Sequence, residues 1–143
     1  MPPWRLGQLY VKRPGLVRTE RQSLLYGPGC VPNISAATRL DYYRGVRVAW
    51  FPDSRGKLRL VDVSTQRAGD RSADGFVVDS SRRGDVRARH PAATSGYGTG
   101  SHALGATSLT VLLRTGKESF TTFVYWFDAR GVLTALETFA GGC

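Results

Sequence analysis

Two stretches of this chain spell nearly the same thing. Val48-Ala49-Trp50-Phe51-Pro52-Asp53-Ser54-Arg55-Gly56-Lys57-Leu58 returns as Val124-Tyr125-Trp126-Phe127-Asp128-Ala129-Arg130-Gly131-Val132-Leu133, and Pro52 alone lacks a counterpart. Two similar half-units must share a core that neither can bury alone. The chain therefore reads as a single domain, 1–143, with internal repeats at about 6–65 and 75–140 joined by the Arg-, Gly-, Asp- and Ser-rich segment 66–74. At 143 residues there is enough chain for one modest core and not for two.

Punctuation along the chain divides each half in the same way. Residues 6–12 read as a strand. Residues 17–26, free of Gly and Pro, with Thr19 and Gln22 at capping-box spacing, read as a helix stopped by Gly27-Pro28-Gly29. Strands over 38–43, 46–51 and 57–64 follow, joined by Arg44-Gly45 and by Pro52-Asp53-Ser54-Arg55-Gly56, both hairpin turn sequences. The second half repeats the order, with a strand at 76–78, a helix over 81–90 ended by Pro91, a long loop at 92–105, and strands over 108–113, 119–127 and 132–139. The expected fold is α+β: tandem strand–helix–three-strand repeats forming an antiparallel sheet, with two short helices on one face.

Alternation within strands sorts side chains into two faces. Leu40/Tyr42, Val46/Val48/Trp50, Leu109/Val111/Leu113 and Val124/Trp126 are assigned to the core beneath the helices. The other parity carries Tyr43, Arg47, Phe51, Phe123, Tyr125 and Phe127, an aromatic and polar mixture that suits a partly exposed binding face. These six are the candidate partner-binding residues, with Arg39, Arg44 and Arg47 adding electrostatic steering. The recurring Asp-x-Arg-Gly is read as turn chemistry, Asp accepting backbone N–H groups and Gly supplying positive φ.

The helix entries Asp79-Ser80-Ser81-Arg82-Arg83-Gly84-Asp85-Val86-Arg87-Ala88-Arg89-His90-Pro91 and the helix end Tyr26-Gly27-Pro28-Gly29, set in this tandem order, resemble the beta-lactamase inhibitory protein family. More loosely they resemble the small helix-plus-hairpin lipoproteins of outer-membrane assembly. The resemblance spans nearly the whole chain and lies in pattern. It implies a concave, aromatic-rich sheet that grips another protein and carries no catalytic residues. One difference is plain: the inhibitor has a disulfide within each repeat, and neither half here holds a cysteine pair.

Composition bounds what else the chain can do. Net charge is +9, but 17 of the 20 basic residues are Arg, no basic run exceeds two residues, and the excess sits in residues 1–74. That distribution lacks the clustered stripe of a nucleic-acid binder, which is kept as a third reading. No apolar run approaches the ~20 residues of a membrane span. The opening residues lack the apolar centre of a signal peptide, which taken alone gives a cytoplasmic protein. Cys30 and Cys143 are the one disulfide candidate: they would pair in a secreted or cell-envelope protein, the expected location, and be two free thiols in a cytoplasmic one. His90 and His102 lie across a loop with no clustered ligands, so neither metal nor cofactor is expected. The first reading is thus a monomeric, non-enzymatic module that binds another protein through its aromatic face. Alternatives are a small-ligand-binding protein or small hydrolase with a pocket under loop 92–105, and a basic nucleic-acid-binding protein.

Overall fold

The computed structural model describes residues 4–22, 38–98, 104–114 and 120–140. Within them the chain forms one antiparallel sheet from β1 (Arg18–Gln22), β2 (Thr38–Tyr43), β3 (Val46–Pro52), β4 (Leu58–Thr65), β5 (Thr94–Tyr97), β6 (Thr107–Arg114), β7 (Phe120–Phe127) and β8 (Leu133–Ala140). The strand order is β1-β2-β3-β4-β8-β7-β6-β5. Among the described residues there is one helix, α1 (Arg83–Arg89). The fold is therefore mostly antiparallel sheet, and the expected α+β arrangement with two helices on one face is corrected.

The first of those helices is replaced by β1. Thr19, placed at a helix N-cap by sequence spacing, instead donates from its hydroxyl to Asp41 Oδ1 at 2.8 Å, and Arg18 through Gln22 pair with Tyr42 through Thr38. A helix of about ten residues is marginal by itself, so cross-strand pairing decides. The expected strands at 6–12 and 76–78 shrink to single bridges, Leu9↔Arg59 and Arg71↔Val77. Residues 94–97 of the expected loop pair with β6 as β5.

The repeated turns have the same hydrogen bonds. Asp53 Oδ1 accepts the N–H groups of Arg55 and Lys57 at 2.9 Å. Asp128 Oδ1 accepts those of Arg130 and Val132 at 2.9 and 3.0 Å. Gly56 and Gly131 sit at φ 78° and 79°, a conformation that glycine enters without steric cost. The two aspartates lie 75 residues apart (128 − 53). The same shift carries the pair Asp62↔Phe139 at the β4–β8 seam onto Glu137↔Ser64, so the seam is two-fold symmetric about Val63↔Thr138.

By that register relation the counterpart of Trp50 is Tyr125, not Trp126. The sequence match between the tryptophans needs a one-residue gap at Pro52, and one residue moves a strand side chain to the other face. Each hairpin also carries one extra residue, Val61 in β4 and Thr134 in β8, where the register shifts. The expected face assignment is accordingly corrected for β2 and β7. Cross-strand partners place Asp41, Tyr43, Phe123, Tyr125 and Phe127 on the same face as Val46, Val48 and Trp50. Leu40, Tyr42, Val124 and Trp126 share the other face with Arg47 and Phe51.

Two covers shield the first face. Trp4, Leu6, Tyr10 and Leu16 pack on Tyr43, Val46, Val48, Trp50 and Leu60. This segment is tied to β4 where β8 does not reach, by Gly7 N–H to Leu60 C=O at 2.8 Å and Tyr10 N–H to Leu58 C=O at 2.9 Å. On the second half, Phe76, Val86 and Ala93 pack on Leu109, Tyr125, Phe127 and Leu133. Asp79 N–H to Leu133 C=O at 2.7 Å and Arg83 N–H to Gly131 C=O at 2.8 Å hold that cover to β8.

Trp50 is wholly buried, with Tyr10 and Trp4 edge-on against its ring at 5.0 and 5.9 Å, while Trp126 is half-buried. Trp50→Ala should therefore cost about 3–5 kcal/mol, and Trp126→Ala less than half of that. Urea unfolding of the two variants checks the contrast, and equal losses would mean that the tryptophans share an environment after all.

Candidate functional site

The six residues expected to form one exposed face are split by the sheet. Arg47 and Phe51 lie on one side, Tyr43, Phe123, Tyr125 and Phe127 on the other. Tyr43, Phe51, Tyr125 and Phe127 are buried, Phe123 and Arg47 half-buried, so no contiguous exposed aromatic patch forms from them. Cys30, Cys143 and His102 lie outside the described residues. Of the candidates, the structure brings Phe123 and Tyr125 together at a site, with partners the sequence did not suggest.

That site is a cavity of about 430 Å³ at the seam, in the gap between the two covers. Val63, Val111, Leu113, Phe123 and Leu136 give it apolar walls, and Ser72, Asp74, His90 and Tyr125 a polar one. Among the described residues of the segment 92–105, where the sequence placed a pocket, none lines it.

The polar wall is assembled by local turns. Ser72 N–H donates to Phe76 C=O at 2.8 Å, Gly75 N–H to Ser72 C=O at 3.0 Å, and Phe76 N–H to Ser72 Oγ at 2.9 Å. This tight turn aims Asp74 inward. Helix α1 has one buried residue, Val86, which docks it on the sheet. His90 follows its last turn, donating its N–H to Val86 C=O at 2.9 Å, and Pro91 cannot continue the helix. Arg87 then clamps the exit, donating to Ala93 C=O and to Ser95 Oγ at 2.6 Å. His90 is left with Nε2 2.5 Å from Asp74 Oδ2, and the Tyr125 hydroxyl donates to the same carboxylate at 2.9 and 3.1 Å. Ser72 Oγ donates to Asp74 Oδ1 as well. Phe76 closes the group, edge-on to Tyr125 with centroids 5.8 Å apart.

Burial pushes the Asp74 carboxyl up, but donors from Ser72, His90 and Tyr125 outweigh it and hold the group below the ordinary carboxylate range. Burial, and after it the Asp74 carboxylate, pushes the Tyr125 phenol up, so Tyr125 keeps its proton. An ionised carboxylate can only accept, so Nε2 of His90 carries the hydrogen that lies between them. Since the folded carboxyl sits below its unfolded value, its contribution to stability is full above that value and is lost as pH falls through the folded one. Asp74→Asn should flatten the acid limb of the stability profile, measured by urea unfolding in steps from pH about 6 to about 2.

A second polar centre lies on the opposite face. Arg47 contacts Glu137 at 3.0 Å and Asp62 at 3.8 Å, and Trp126 Nε1 donates to Glu137 at 3.3 Å. Burial, then the neighbouring Glu137, pushes the Asp62 carboxyl well above the ordinary range, with Arg47 opposing. Asp62 Oδ1 has no hydrogen-bond partner. A carboxyl raised on folding contributes stability while protonated and loses it as pH rises through the folded value. Asp62→Asn should match the parent in acid and exceed it in stability near pH about 8. Denaturant midpoints at both pH values test this, and a variant weaker at both would make the Arg47 contact dominant.

Asp74 and Ser72 fall in the segment taken from sequence as a joint between repeats. Ser72-Ala73-Asp74-Gly75 is a legible turn string, but Asp74 and Tyr125 are 51 residues apart, and nothing local links them. Among the described residues no group of three or more metal-ligating side chains occurs, and no helix is long and apolar enough to cross a membrane. In comparisons with known proteins, no family model, no curated protein and no solved structure matches the chain.

Proposed function

We propose that this chain is a small-ligand-binding protein whose ligand occupies the cavity at the β4–β8 seam. The observation that carries this reading is the cavity itself: about 430 Å³ with mainly aliphatic walls and one convergent polar cluster. That is the size and make-up of sites that hold small organic molecules, commonly about 300–1,000 Å³. Binding is favoured over turnover because the Ser72 and Tyr125 hydrogens are committed to a carboxylate held below its usual pKa. Such a carboxylate is a weak base and a poor activator of a hydroxyl nucleophile. We read the two halves as a duplicated unit, supported by the matching turns and the symmetric seam.

The test is direct. Protein purified gently from cells should carry a small molecule visible by native mass spectrometry, and Val111→Trp, which fills the cavity, should abolish it while retaining a cooperative melt. A ligand present at about 100 times its Kd should also raise stability by about 2.7 kcal/mol. No bound mass, together with no melting shift from any apolar probe, would sink the idea.

A protein partner is the second reading. It rests on Leu112 and Leu113, 55% and 53% exposed, on opposite sides of the end of β6 that extends past its pairing with β5. Such apolar side chains at a sheet margin suit a contact with another protein.

A further inference from the structure

Resting on the ligand-binding reading, we infer that the cavity selects an amphipathic amine: an apolar body with a cationic ammonium head seated against Asp74. The inference comes from an inventory of hydrogens on the polar wall. Ser72 gives its hydroxyl hydrogen to Asp74 Oδ1, Tyr125 gives its own to both oxygens, and His90 gives its Nε2 hydrogen to Oδ2. Thr65, which also lines the cavity, gives its hydrogen to Asp70 at 2.5 Å. What these groups leave for a ligand is acceptor capacity: the Tyr125 oxygen, the remaining lone pairs of Asp74, and Nδ1 of His90 while the ring is neutral. A ligand head that only accepts would find no free hydrogen on these four side chains.

Charge points the same way. One carboxylate, that of Asp74, faces the cavity, whereas the Glu137 carboxylate lies on the other face of the sheet, paired with Arg47. Arg71 is the one cationic side chain among the lining residues, and it is exposed. An ammonium group brings three donors and one positive charge to a polar wall that offers acceptors, among them an ionised carboxylate. Opposite, Val63, Val111, Leu113, Phe123 and Leu136 present hydrocarbon to the ligand's body. The chain's net charge of +9 would draw anions to the surface, so a preference for a cation has to come from the cavity and not from the overall field.

Octylamine, octanol and octanoate share a tail and differ in the head, so their dissociation constants, measured by calorimetry on the intact chain near pH about 7, separate the possibilities. Octylamine is expected to bind at least about tenfold tighter than either of the others, as a charge-assisted hydrogen bond to a carboxylate allows. Asp74→Asn should remove that advantage and bring octylamine to within about twofold of octanol on the same variant. If octanol or octanoate binds the parent as tightly as octylamine, the amine inference fails and the cavity reading stands. If none of the three binds, the cavity reading itself has failed. The comparison on the parent protein decides between these outcomes even if Asp74→Asn does not fold.

Discussion

Four residue pairs between β4 and β8, Asp62↔Phe139 to Thr65↔Leu136, join two four-stranded sets into one sheet. Everything else is arranged around that seam. Its register sets the two-fold relation between the halves, and it brings Arg47 of β3 level with Glu137 of β8 through Ser64. It also fixes a difficulty. Among the described residues a single sheet eight strands wide has an apolar face with no second sheet to bury it, and the cover comes from connecting segments. Each half recruits its own, and each cover is fastened to the first residues of the strand that leads into the seam, Leu58–Leu60 in β4 and Leu133 in β8.

The cavity follows from this. Both covers sit over their own half, and neither crosses the midline, so the side chains at the seam on that face, Val63, Thr65, Leu136 and Thr138, line a gap and not a core. The two halves then diverge at the position they share in register. In the first, Trp50 fills the space beneath its cover and leaves its Nε1 without a partner. In the second, Tyr125 stands there, with a hydroxyl that reaches Asp74. Ring packing around Trp50 on one side and a hydrogen-bonded polar cluster on the other is what gives the cavity a chemical direction.

Much of the strand layout was legible, and the reasons for the failures are specific. Residues 38–43, 46–51, 57–64, 108–113, 119–127 and 132–139 announce themselves through β-branched and aromatic runs between Gly-containing turns, and each lies on an observed strand to within a residue or so at either end. The helix over 81–90 also holds, trimmed to Arg83–Arg89. β1 was missed because Arg18–Gln22 has no apolar alternation and its strand state comes from β2. Facing was misread in β7 because the similar strings were aligned on their tryptophans, whereas the matching turn hydrogen bonds fall at Asp53 and Asp128. In β2 it was misread because the parity that carries a carboxylate, Asp41 with Tyr43, is the one that faces Val46 and Val48. Asp41 is buried, with Thr19 and Arg39 donating to it at 2.8 and 2.9 Å. The candidate site was the least legible part, since Asp74, His90 and Tyr125 meet only once the sheet and its cover have formed.

An open row of eight strands has two margins, and unpaired margins invite other chains to add on. Here β1 and β5 hold those places. β1 is five residues long, Arg-Thr-Glu-Arg-Gln, with three charges among them. β5 is four residues long and contains a glycine. Short, charged or glycine-interrupted margins are poor templates for β-aggregation, so the broad apolar interior of the sheet is flanked by its least adhesive sequences. The design spares the protein from runaway strand-by-strand growth, a hazard that a single-layer sheet faces more acutely than a closed barrel does.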